Sequence, residues 1–144
     1  MKIYNEVNNE NVRKAASLLI KHCQDEDFIK LIRGVTFFNH TIKKSDEVAS
    51  RLLDFAAISV ITLRPYKTFN PFSNVTGYSE DWIIFINERH NYMPVYDRVG
   101  SLYHEICHMA GFNHQGDKTT AYNLKTVPYL AGQIFAKYVQ NIYE

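Results

Sequence analysis

The chain has 144 residues, a formal charge of +1 at neutral pH, and 46% hydrophobic and 14% aromatic content. That length can bury one core but not two, and no dense Lys/Arg block points to nucleic acid. No run of about 18 apolar residues is present for a membrane span, Met1–Glu6 lacks the apolar core of a secretory signal, and Cys23 and Cys107 are too few for a disulfide framework. The expectation is a cytoplasmic chain with two reduced thiols and no nucleic-acid or membrane partner, leaderless export being the alternative.

Asn8 or Asn9 can cap a first helix to about Cys23, with Val12, Ala15, Ala16, Leu19 and Ile20 on one stripe. Asp25-Glu26-Asp27 opens a short helix ending near Gly34, its acidic start matching the helix dipole. Val35-Thr36-Phe37-Phe38 is β-branched and aromatic and predicts a strand. Lys43-Lys44 is a solvated pair ahead of a helix from Ser45 to about Phe55, with Val48, Leu52, Leu53 and Phe55 apolar. Ala57 to Leu63 is a near-continuous apolar run stopped by Arg64-Pro65, as in a buried strand. Strand, helix and strand in that order predict a crossover and a parallel pair.

Residues 66–80 read as loop, with a short strand around Val75–Tyr78, and Trp82–Asn87 reads as another strand. Pro94 then suits a first helical turn, and Val95, Val99, Leu102, Ile106 and Met109 form one apolar stripe. His104 and His108 fall roughly opposite that stripe, so the helix can pack on the sheet and offer a ligand face to a cleft. A final helix starts near Thr126, with Pro128 in its first turn and Val127, Leu130, Ala131, Ile134, Phe135 and Tyr138 inward.

The chemistry lies in His104-Glu105-Ile106-Cys107-His108-Met109-Ala110-Gly111-Phe112-Asn113-His114, which reads H-E-x-x-H-x-x-G-x-x-H. Five fixed positions at these spacings arise by chance on the order of 10⁻⁵ times in a chain of this composition. His104 and His108 stand one helical turn apart and can reach one ion. Gly111 permits the left-handed turn that brings His114 back toward them. Three neutral imidazoles suit a catalytic Zn²⁺ with one position open for water, and Glu105 is placed to reach that water. Cys107 points elsewhere on the helix and reads as a packed thiol.

On this motif and element order the chain resembles the metzincin clan of zinc metallopeptidases, over about residues 35 to 144. The resemblance implies an α+β, zincin/metzincin-like fold: a twisted mixed sheet packed on helices, then an active-site helix and a C-terminal helix. Residues 1–34 read as a helical N-terminal extension, 35–114 as sheet and zinc helix, and 115–144 as C-terminal turn and helix of a single catalytic domain. The implied metal ligands are His104, His108 and His114, with Glu105 as general base activating the zinc-bound water for hydrolysis of a peptide or protein substrate. Metzincins also carry a Met in a turn below the metal, but no Met follows His114 here. Thr126-Val127-Pro128-Tyr129 is expected in its place, with Tyr129, or secondarily Tyr122, near the zinc; packing at the root of the last helix is the plain alternative.

An extended substrate would pair with a sheet edge within residues 72 to 88, where Tyr78 and Trp82 can line subsites, although Trp82 reads first as core. His22, His40 and His90 lack ligand spacing and read as surface or capping residues, with His90 able to border the cleft. Asp117 is either a turn residue or an orienter of one imidazole. The alternatives to a peptidase are a zinc-containing binding module and a zinc hydrolase of a non-peptide amide.

Overall fold

A computed structural model describes residues 1–144 as a mixed α+β arrangement of five α-helices and a four-stranded sheet. In chain order these are β1 (Lys2–Asn5), α1 (Glu10–His22), α2 (Glu26–Arg33), α3 (Ser45–Ile58), β2 (Val60–Tyr66), β3 (Gly77–Glu80), β4 (Ile83–Asn87), α4 (Val95–Met109) and α5 (Val127–Tyr143). The sheet order is β1-β2-β4-β3; β1, β2 and β4 are parallel, and β3 is antiparallel at one edge. No helix is long and apolar enough to cross a membrane.

Alternation fixes the faces. Ile61, Leu63, Ile84 and Ile86 point inward and join a single cluster of 29 buried residues that runs from Val7 to Val139. Along α4 the expected stripe holds: Val99, Leu102 and Ile106 are fully buried, while Val95 and Met109 pack at its margin. The α1 cap is Asn9, whose side chain accepts from the Val12 N–H. Ile20, placed on the α1 stripe by sequence, is instead largely exposed.

Three expectations about the first half are corrected. Residues 35–38 form no strand. Ser45 Oγ donates to the Val35 carbonyl, and Phe38 drops into the core as Phe37 turns to solvent, so these residues link α2 to α3. The parallel partner of β2 is β1, a four-residue strand with only one inward apolar residue, Ile3, and so little periodic signal. The N-terminal segment is therefore part of the fold: it supplies a sheet edge, and α1 packs on α4. Pro65 does not end β2 either. β1 stops opposite Leu63, so the missing Pro65 N–H costs no ladder bond on that side.

Trp82 is not core. Asp81 and Trp82 form the two-residue β3–β4 turn, both with positive φ, and the half-exposed Trp82 ring stacks on Phe55 at 5.4 Å. Where α4 and α5 cross, Gly100 and Gly132 allow near backbone contact: a Cβ on Gly132 would lie 2.9 Å from the Gly100 carbonyl oxygen. This close crossing brings the first turn of α5 against the histidine face of α4.

Candidate metal centre

The end of α4 is built to project a third histidine back at the first two. Gly111 has φ +100°, its N–H bonds the His108 carbonyl, and the Phe112 N–H bonds the Cys107 carbonyl. This is a Schellman cap, with the buried Phe112 ring sealing it. A Cβ at Gly111 would also meet the Arg51 guanidinium at 2.7 Å. Arg51 Nε donates to the Ala110 carbonyl at the negative end of α4, so cap and cation hold the turn together.

As expected, His104, His108 and His114 come together. His108 Nε2 lies 3.1 Å from His104 Nε2 and 3.1 Å from His114 Nε2. Ligand nitrogens about 2.0–2.1 Å from a tetrahedral metal are about 3.3 Å apart, so the spacing is close to that of a bound ion. The proton positions agree. His114 Nδ1 is 2.6 Å from the Gly116 carbonyl, a pure acceptor, so Nδ1 carries the proton and Nε2 presents a lone pair. His108 Nδ1 faces Asn113 Oδ1 at 3.4 Å in the same sense. With Nδ1 protonated on both His108 and His114, the facing Nε2 atoms of that pair share no proton, an arrangement that a cation stabilises. The three imidazoles can hold a metal ion.

Electrostatics keep them ready. Burial first, then the neighbouring His108 and His114, hold the His104 imidazole down to about 3, and burial also lowers His108. Both are neutral at pH 7. Burial pushes the Glu105 carboxyl up, partly offset by a hydrogen bond from the Ser79 side chain and by His114. Ser79 is on β3, so Glu105 sits between the histidines and the sheet edge.

The lowered imidazoles predict the acid behaviour of the metal-free protein. An unfolded histidine binds its proton near 6.5, whereas folded His104 resists it until about 3. In that window the unfolded chain holds more protons, so stability falls as pH drops through it. The raised Glu105 works in the opposite direction, so the clean comparison uses Glu105→Gln. Its urea midpoint without metal is expected to be lower at pH 5 than at pH 7.5, with a smaller drop once His104 is also replaced by Asn; equal drops with and without His104 would contradict this reading.

A cleft of about 1370 Å³ contains His104, Glu105, His108, His114 and Tyr129 together with β3. The Tyr129 ring stands 4.6 Å from that of His104 and 4.8 Å from that of His114, centroid to centroid. Tyr122 does not approach the triad; its hydroxyl faces His40 Nδ1 at 3.4 Å. Tyr78 and Trp82 line the cleft, as does Asp117, but the Gly116 carbonyl and Asn113 orient the imidazoles in place of Asp117. His90 holds the Ser73 carbonyl at 2.7 Å and does not line the cleft. His22 is buried between Asp25 and Tyr143 rather than at the surface, and Cys23 and Cys107 are free, buried thiols.

One residue of this region was missed by sequence reasoning. Asn123 is fully buried behind the His114 loop, and its only sequence signal is a polar residue between Tyr122 and Leu124. The chain matches no protein-family model, no curated protein and no solved structure.

Proposed function

We propose that this chain is a small zinc-dependent peptidase of metzincin type. The observation that carries the reading is the convergence of three imidazole Nε2 atoms beside a half-buried carboxylate in a cleft bordered by a free sheet edge. An all-imidazole donor set suits zinc and disfavours the hard cations calcium and magnesium, which prefer oxygen. When bound by His104, His108 and His114, zinc would supply Lewis acidity for a carbonyl and a lowered pKa for water.

The chain's own groups supply the rest. Glu105, its carboxyl raised by burial, accepts a proton from the attacking water and returns it to the leaving amine. β3 bonds β4 on one side only, so its other edge is available to align an extended peptide across the cleft, and Tyr78 and Trp82 flank that path. Tyr129 lies over the His104 and His114 rings, where its hydroxyl can donate to a developing oxyanion. Tyr129→Phe is expected to lower kcat by about 10²- to 10³-fold with zinc affinity unchanged; an unchanged kcat would reduce Tyr129 to packing.

The test of the reading is reconstitution. Protein stripped with a chelator should not degrade an unfolded protein substrate such as casein, and one equivalent of zinc should restore cleavage. Full activity in the stripped, metal-free protein would exclude the proposal.

A further inference from the structure

We infer that Asn123 is a positioning residue for the metal centre: its buried carboxamide fixes the loop that carries His114. The inference rests on the metal-binding reading above. Residues 114–117 make no backbone–backbone hydrogen bond, and residues 115–120 are exposed. Left to its backbone, such a loop would place its histidine loosely.

The Asn123 side chain replaces the missing ladder. Its Oδ1 accepts from the Gln115 N–H at 2.8 Å, and its Nδ2 donates to the Gln115 carbonyl at 2.6 Å and to the Lys118 carbonyl at 2.8 Å. Gln115 directly follows His114 and is gripped at both backbone groups, as by a neighbouring strand. Both amide protons are used, and no part of Asn123 is exposed. The third partner closes the far end of the loop, so Gly116, whose carbonyl orients the His114 ring, is held from both sides.

Asn123 is itself anchored. Its N–H donates to Thr120 Oγ1, its carbonyl accepts from Thr126 Oγ1, and Thr126 bridges to Asn39. Asn39 in turn donates from Nδ2 to the Tyr122 carbonyl and from its backbone N–H to the Lys125 carbonyl. The α2–α3 link thereby supports residues 122–126, which support the ligand loop on one side and lead into Tyr129 on the other.

The test separates positioning from general stability by a double-mutant cycle on zinc affinity, measured by chelator competition. Wild type is titrated first; if it binds no zinc, the metal reading itself falls. Asn123→Leu, with the same branched skeleton but bulkier methyl groups, removes all three bonds and is expected to weaken zinc binding by about 10- to 100-fold, as for groups that orient metal ligands. In a His114→Ala background the same change should cost less than about twofold, because the ligand it positions is gone. Equal weakening in both backgrounds, or none in the wild-type background, would overturn the inference. Asn123→Asp keeps the bond from the Gln115 N–H but sets a carboxylate against two carbonyls. It is expected to give the same pattern and serves the cycle if the leucine variant does not fold.

Discussion

Glu105→Gln is expected to bind zinc with unchanged affinity and to lose peptide hydrolysis by about 10²- to 10⁴-fold in kcat/KM. Glu105 is not one of the three converging groups; it is their half-buried neighbour facing Ser79 on β3. The amide keeps the shape of the side chain and an oxygen for Ser79, but it cannot take a proton. Zinc titration beside steady-state kinetics separates the two roles. Loss of zinc in the variant would make Glu105 a ligand, and retained turnover would remove it from the chemistry.

Zinc is expected to raise the melting temperature substantially, and His108→Ala to abolish most of that rise. A ligand held only by the folded state at about a thousand times its Kd contributes about 4 kcal/mol. For a domain of 144 residues that corresponds to roughly 10–15 °C. His108 is the sharpest choice because its Nε2 faces both other imidazoles at 3.1 Å, so its loss leaves the two without their common neighbour. The variant also sheds a poorly solvated ring, and its metal-free form should melt near the wild type. Scanning calorimetry with and without zinc measures both. A rise as large in His108→Ala as in the wild type would place the metal elsewhere.

The histidine triad was legible because it is local. Eleven consecutive residues, His104 to His114, carry the helix spacing, the glycine that turns the chain and the returning histidine, and the three imidazoles converge as that spacing implies. The apolar stripes of α4 and α5 were legible for the same reason. Failures came where side chains or distant strands decide. Val35–Phe38 has strand composition but no strand to pair with, whereas the nondescript Lys2–Asn5 finds β2 across the three intervening helices. Trp82 read first as core, yet the two-residue hairpin turn leaves it half-exposed and lining the cleft. Asn123 and Gly116 act through a side-chain amide and a backbone carbonyl, neither of which leaves a residue pattern. Tyr129 lies between these cases: the family resemblance placed it near the histidines, and the Gly100–Gly132 crossing determines how near.

The most direct measurement is digestion of a diverse peptide library by the zinc-loaded protein, read by mass spectrometry, with Glu105→Gln run in parallel. A zinc peptidase predicts internal cuts in the wild-type digest that share a sequence preference and are absent from the variant. Identical spectra from the two, with one zinc per chain confirmed in each by elemental analysis, would contradict it.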